Sequence, residues 1–170
     1  PPPRHGFGGW PWTTGPTPLP DRMPDGQPWP LISIVTPSFN QAQFIEHAIR
    51  SVLLQGYPRL ELIVADGGST DGSAETIARY APWITHWVSE PDAGPADALN
   101  KGFAAASGEI YGFLNADDFL LEGSLEKVAM AFHAQPAADV ISGHGYFANT
   151  SGELGVRVYS DRWHLDRFLH

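Results

Sequence analysis

The sequence predicts an α/β/α sandwich with a mainly parallel central sheet. Three observations lead there. From Leu31 onward, apolar runs of strand length alternate with segments of helical periodicity. The first runs are nearly continuous, as in strands covered on both faces, and most runs end in loops of small and polar residues.

The elements follow in order. "LISIVT" (31–36) reads as a buried strand. Asn40 stands where it can cap a helix whose Phe44, Ile45, Ala48, Ile49, Val52 and Leu53 share one face, with Gly56 and Pro58 ending it. "LELIVA" (60–65) is the second strand, "DGGSTDG" its loop and "SAETIARYA" a short helix with Pro82 close behind. "WITHWVS" (83–89) alternates like a strand, "PADALNKGFAAAS" (95–107) is helical up to Gly108, and "EIYGFLN" (109–115) is a strand again. Ser124 can cap a helix to Gln135, "ADVISGHGYF" (138–147) is expected as a strand, and the turn chemistry of "NTSGE" leads into "LGVRVYS".

A chain of 170 residues with 42% hydrophobic residues suits one folded unit with a proper core. The net charge of -9 disfavours nucleic acid or an anionic membrane surface as the main partner. With no cysteine, disulfides and thiolate metal sites are excluded, and a reducing cytosol is compatible. No apolar run approaches the roughly 18 residues of a membrane span and no signal-peptide pattern is present, so a soluble, cytoplasmic piece is expected. Most of the sixteen prolines lie in residues 1–30, which should form an extended arm without regular structure. Trp10, Trp12 and Trp29 suggest that the arm is pinned to the domain; stacking on a sugar or serving as a polyproline ligand are the alternatives. The chain opens on Pro1 and closes on "SDRWHLDRFLH", which looks like the start of an amphipathic helix, so it reads as an excised fragment.

In open α/β sheets, ligands sit beyond the carboxyl ends of the strands. The loops there read "TPSFNQ", "DGGSTDG", "EPDAGPAD" and "NADD", and they gather Asp66, Asp71, Asp92, Asp97, Asp117 and Asp118 on one rim. So acidic a rim repels phosphate unless a divalent cation stands between them. Asp117 and Asp118 are hard oxygen ligands suited to Mg²⁺ or Mn²⁺. The same pair could instead cap the helix that follows. Asp66 can accept hydrogen bonds from a ribose or base, with Gly67 and Gly68 letting a ligand approach the backbone. Alternatively, that loop is only a turn in which Ser69, Thr70 or Asp71 caps the next helix. Lys101 is one of few cations near the rim and could meet a nucleotide; a helical lysine is by default a solvated charge. Neither G-x-G-x-x-G nor G-x-x-x-x-G-K-[ST] follows the first strand, which disfavours a dinucleotide-binding enzyme and a P-loop NTPase. The first strand ends in Thr36 rather than a nucleophilic aspartate, and no G-x-S-x-G elbow is present.

These loops in this order closely resemble the nucleotide-sugar-binding half of family 2 glycosyltransferases, which have the Rossmann-like GT-A fold. The likeness runs over about residues 31–147, through "ISIVTPSFNQAQFIEHAIRSVLLQGYPRLELIVADGGSTDGSAETI" and "SEPDAGPADALNKGFAAASGEIYGFLNADDFLLEGSL". It implies transfer of a sugar from a nucleoside diphosphate, usually a UDP-sugar, to a glycan or lipid-linked acceptor in polysaccharide or cell-envelope glycan synthesis, with inversion and with Mn²⁺ or Mg²⁺ as cofactor. It assigns Thr36, Pro37 and Asn40 to the wall around the nucleoside, Asp66 to the base, Lys101 to the neighbourhood of the nucleotide, Asp117 to the ribose and diphosphate, and Asp118, with Asp117, to the metal. Residues 31–160 would be the nucleotide-sugar domain and 161–170 the start of an acceptor-side region. The general base of this family lies beyond the aspartate motif and is expected past His170. Among the late carboxylates, helix and turn roles account for Glu153, Asp161 and Asp166, and a turn accounts for the "NTS" sequon at 149–151. His144 could face the sugar site, although a lone histidine is by default structural. The competing readings are a non-catalytic nucleotide- or glycan-binding module of the same fold, and a carbohydrate-binding protein that uses the Trp-rich arm.

Overall fold

The first two apolar runs pair as strands that bury both faces. In the computed structural model, which describes residues 1–4, 8–13, 18–149 and 152–158, all seven residues of β1 (Ile32–Ser38) are buried. The order continues α1 (Ile45–Leu53), β2 (Leu60–Asp66), α2 (Ser73–Tyr80), β3 (His86–Ser89), α3 (Pro95–Ala104), β4 (Ile110–Phe113), α4 (Ser124–Ala134), β5 (Gly145–Ala148) and β6 (Leu154–Val158). The first four strands form one sheet in the order β3-β2-β1-β4, every pair parallel. Successive strands step outward from β1 to β3, then the chain returns to the other side of β1. That reversal is the topological switch point at which such sheets open a crevice. The chain forms two compact units, Pro1–Ala129 and Met130–His170. The second contains the antiparallel hairpin of β5 and β6. No helix among the described residues is long and apolar enough to cross a membrane.

Several ends differ from the sequence expectation. β1 continues to Ser38 and passes through Pro37. The Val35 carbonyl accepts Leu114 N–H from the β4 side, and the Ser38 carbonyl accepts Gly67 N–H from the β2 side. Alternation therefore turns Pro37 toward β4, whose last paired residue is Phe113 opposite Val35. A proline is tolerated there because no rung remains to be made. For the same reason β4 stops at Phe113 instead of running to residue 115.

β3 starts at His86 rather than 83, because Trp83 and Ile84 spend their N–H groups on the Tyr80 carbonyl. α3 ends at Ala104; beyond it, Ser107 donates from N–H (2.9 Å) and Oγ (2.5 Å) to the Glu61 carboxylate on β2. The predicted strand 138–147 is reduced to Gly145–Ala148, in keeping with Gly143 and Gly145 in a run that offers little side chain to pack. β5 and β6 do pair on either side of "NTSGE", where Asn149 Oδ1 accepts Glu153 N–H at 3.0 Å, while Thr150 and Ser151 lie outside the described residues. Asp161, Asp166 and the expected region 161–170 lie outside the described residues.

α1 is buried on more than the apolar face read from sequence. Arg50 is 1% exposed. Its guanidinium donates to the carbonyls of Pro2 (2.9 Å), Pro11 (3.1 Å) and Trp12 (3.4 Å) and to Tyr80 Oη (3.2 Å). The Tyr80 hydroxyl donates on to Glu46 at 2.6 Å, and Glu46 also pairs with Arg4 at 3.2 Å. Trp29 is buried and donates to the Pro20 carbonyl at 2.9 Å. The described part of the arm contains no named helix or strand, so its carbonyls are free to serve a buried cation.

Arg50→Met removes that cation and takes its donors from the Pro2 and Pro11 carbonyls, while the Trp12 carbonyl keeps the Arg4 N–H (3.0 Å). Urea unfolding should show a loss of about 3 kcal/mol, with faster protease cleavage inside residues 1–12.

His47 supplies a second test. Its ring lies between Trp12 (5.3 Å) and Phe119 (4.3 Å, stacked at 16°), and its Nε2 is buried with no hydrogen-bond partner. Burial lowers its pKa below the ordinary 6.5. The unfolded chain therefore takes up the proton first as pH falls, and stability declines from about pH 6.5 downward until the folded-state pKa is passed. Urea midpoints compared at pH 8 and pH 5.5 should show this slope flattened in His47→Phe.

Candidate active site

The loops beyond the sheet are stitched to one another before any ligand is considered. Asn40 does not cap α1. It adopts a left-handed conformation (φ 53°), which asparagine tolerates, and α1 begins only at Ile45. Its N–H donates to Ser69 Oγ (2.8 Å) and its Oδ1 accepts Thr70 N–H (3.0 Å). The N–H groups of Gln41 and Ala42 go instead to Ser73 Oγ and Asp71 Oδ2, both at 2.9 Å. The Ser73 hydroxyl on Asp71 Oδ1 (2.6 Å), with the N–H groups of Ala42 and Ser73, holds the Asp71 carboxyl below the usual carboxylate range. Asp71 thus serves the entry to α2 and the β1–α1 loop together.

Asp66 closes β2, 2% exposed, and anchors the next loop. Its Oδ1 accepts the Ser69 hydroxyl (2.5 Å), and its Oδ2 accepts Ser69 N–H (2.9 Å) and the Ser89 hydroxyl (2.7 Å). Gly67 and Gly68 meet protein rather than open space. A β-carbon on Gly67 would lie 2.8 Å from Asp92 Oδ2, and one on Gly68, at φ 80°, would lie 3.2 Å from the Pro91 nitrogen. Their bareness lets the β3–α3 loop close over the end of β2.

That loop brings Asp92 inward, its Oδ1 accepting Gly94 N–H at 2.8 Å. Gly94, Pro95 and Ala98 follow on the same wall, so the positive end of α3 is directed at the same space. Lys101 stays outside it. Its ammonium pairs with Glu90 (3.0 Å) and Asp97 (3.4 Å), contacts that raise its pKa. From β4, Leu114 leads into the turn Asn115–Asp118, closed by Asp118 N–H on the Asn115 carbonyl (3.1 Å) and by Asn115 Nδ2 on Asp118 Oδ2 (3.2 Å).

The space enclosed is a cavity of about 540 Å³ beyond the carboxyl ends of β1 and β4. Of the residues singled out from sequence, Pro37, Gly67, Asp92 and Asp117 line it. Thr36 lies one residue behind, fully buried, its hydroxyl without a partner. Asn40, Asp66, Lys101 and Asp118 are not on the wall; the first two brace the loops, and Asp118 adjoins Asp117 on the exposed turn. Sequence reasoning gave no role to Ser38 or Asn115, which do line it. Ser38 Oγ is buried and without a partner. Its place at the last position of the longer β1 was hidden by ending that strand at Thr36.

The wall offers two carboxylates, Asp92 and Asp117, and no lysine or arginine among the described residues. Asp92, Asp117 and Asp118 take part in none of the ion pairs formed by the described residues. No three acidic or histidine side chains converge there as a complete metal cage. Two hard oxygen donors without a counter-charge fit a divalent cation that completes its shell from water and a phosphate-bearing ligand.

The profile of glycosyl transferase family 2 matches residues 33–167. The chain belongs to this family. It is 30% identical over 139 residues to an uncharacterized glycosyltransferase of Nostoc, covering 76% of this chain and 43% of that protein. It is 32% identical over 144 residues to the putative teichuronic acid biosynthesis glycosyltransferase TuaG of Bacillus subtilis, covering 83% and 53%. To the O-antigen biosynthesis protein RfbC of Myxococcus xanthus it is 38% identical over 142 residues, covering 81% of this chain and 11% of that one. The chain thus spans about half or less of these curated relatives. Among solved structures, the mannosyltransferase PcManGT of Pyrobaculum calidifontis, in complex with GDP-Man and Mn²⁺, superposes at a TM-score of 0.56 with 28% identity over 72% of this chain and 39% of that one. S. aureus TarS shares the fold at 0.56 and 23% identity, over 61% of this chain and 20% of that one. The four-stranded parallel sheet with its helices is the α/β architecture of these GT-A glycosyltransferases.

Gly67→Ala sets a methyl against the Asp92 carboxylate in this family 2 chain. Urea unfolding should record a loss of about 1–2 kcal/mol, most of it relieved on an Asp92→Ala background.

Proposed function

We propose that this chain is the donor-binding part of a glycosyltransferase. It would take a nucleoside-diphosphate sugar, with UDP as the nucleotide, and pass the sugar with inversion to a glycan or lipid-linked acceptor in polysaccharide or cell-envelope glycan synthesis. The observation that carries this reading is the cavity at the switch point, whose wall holds carboxylates and no basic side chain. An anionic diphosphate fits such a wall only with a divalent cation between them. PcManGT, which binds GDP-Man and Mn²⁺, supports a nucleotide sugar and a metal, while TuaG and RfbC support polysaccharide synthesis.

In this reading Thr36, Pro37 and Asn40 belong to the nucleoside side, with the unpartnered Thr36 and Ser38 hydroxyls at its base. Asp66, with three hydrogen bonds already accepted, keeps one acceptor direction on Oδ1 for the base and otherwise holds the loop. Lys101, tethered to Glu90 and Asp97, contributes field near the nucleotide rather than direct contact. Asp117 orients the ribose and diphosphate, and Asp118 with Asp117 would hold Mn²⁺ or Mg²⁺. When bound, the cation supplies Lewis-acid stabilisation of the charge that gathers on the departing diphosphate. The positive end of α3 adds to it from the opposite wall. No described residue is assigned as the base that activates the acceptor.

Calorimetric titration with UDP, with and without Mn²⁺ and with GDP for comparison, tests this directly. Binding of UDP that requires Mn²⁺ and exceeds that of GDP is expected, and Asp118→Asn should weaken it by more than about tenfold with the thermal midpoint kept. Unchanged binding by Asp118→Asn would remove the metal role.

A further inference from the structure

The proposed donor chemistry makes no use of the N-terminal arm, yet the arm touches the segment that carries the two aspartates. Past Asp118, the Leu120 peptide is gripped on both sides. Its N–H donates to Ser51 Oγ on α1 (3.0 Å), and its carbonyl accepts the Trp10 indole N–H (2.8 Å). Phe119, next to Asp118, stacks on His47, and His47 is backed in turn by Trp12. One residue further on, the Leu121 carbonyl accepts Gln55 Nε2 at 3.0 Å. His47 and Ser51 are spaced by four on one face of α1, and Gln55 follows in the turn just past its end. The same helix turns Arg50 to the carbonyls of Pro2, Pro11 and Trp12. Arm, helix and aspartate turn are therefore one connected assembly.

We propose that the arm is a strut that sets the position of Asp117 and Asp118 for a metal-bound nucleoside diphosphate, with Trp10 and Trp12 as positioning residues. This rests on the donor-site reading above. The Asn115–Asp118 turn has two ends. The β4 end is pinned where Leu114 N–H meets the Val35 carbonyl at 3.0 Å. The other end is the Phe119–Leu121 segment, and the arm supplies one of its two supports. Both carboxylates are exposed, and the hydrogen bond on Asp118 Oδ2, from Asn115 Nδ2 at 3.2 Å, comes from within the same turn. Their separation follows the peptides they hang from, and holding one cation between them needs placement to about half an ångström. Removal of the Trp10 donor leaves the Leu120 carbonyl held by nothing from the arm and lets the turn relax away from α1.

The test uses Trp10→Phe, which keeps an aromatic ring and removes the N–H. Calorimetry would measure UDP affinity with Mn²⁺ and without it, in the wild type, in Trp10→Phe, in Asp118→Asn and in the double variant. The expected result is a drop of about three- to tenfold in affinity for UDP with Mn²⁺, the size of one hydrogen bond, with metal-free UDP affinity unchanged. On the Asp118→Asn background, Trp10→Phe should cost nothing further, because the strut acts by placing the two carboxylates as a pair and that pair is then already broken. A merely structural arm would weaken both affinities alike and add its loss to that of Asp118→Asn; either result, or no loss at all, overturns the inference. Trp12→Leu removes the ring behind His47, carries the same expectation, and decides the question if Trp10→Phe does not fold. A wild-type protein that binds no UDP with Mn²⁺ sinks the donor-site reading and the strut with it. Metal-dependent binding indifferent to both tryptophans sinks the strut alone.

Discussion

β1 loses its neighbour on one side at Pro37, and the cavity exists because of it. As far as Val35 the strand is held between β2 and β4. Pro37, turned toward β4, has no N–H to offer, so separation of the two chains there strands no backbone donor. On the other side β1 remains paired with β2 to Ser38 and Asp66. The sheet therefore parts on one side only. Its wall on the parted side is the Asn115–Asp118 turn, and on the intact side the loop that follows Asp66.

What fills that opening is governed by charge. Asp92 and Asp117 face it from opposite sequence regions, and the lysine closest in sequence to Asp92 is engaged by Glu90 and Asp97. Like charges around a partly enclosed space raise the free energy of the empty site and favour a cation within it. The directed end of α3 adds partial positive charge on one side. A divalent ion with a diphosphate complements this distribution; a bare phosphate or a neutral sugar does not.

α1 links the site to the remainder of the first unit. Its apolar face, Ile45, Ala48, Ile49 and Val52, is fully buried. His47 and Ser51 on the helix, with Gln55 in the turn after it, hold the segment after the aspartates, and Arg50 gathers the carbonyls of the arm. A proline-rich segment has few N–H groups to satisfy its own carbonyls, and a buried guanidinium with several donors matches that deficit. The pairing makes the arm part of the domain.

The sequence by itself determined the alternation of strands and helices, the parallel sheet, the acidic rim and the family, because these depend on periodicity and on loop residues contiguous in the chain. "LISIVT", "LELIVA" and "NADD" can each be read in place. Only the tertiary structure decided which rim carboxylates face the cavity. Asp66 and Asp71 hold loops, Asp97 pairs with Lys101, and Asp92 and Asp117 reach the wall. It also decided that Asn40 joins two loops rather than capping a helix, and that Arg50 is buried. Apart from the Asp97–Lys101 pair, four residues apart on α3, these turn on partners tens of residues away, and a side chain's role follows the partner that satisfies its hydrogen bonds or charge, which spacing along the chain does not encode.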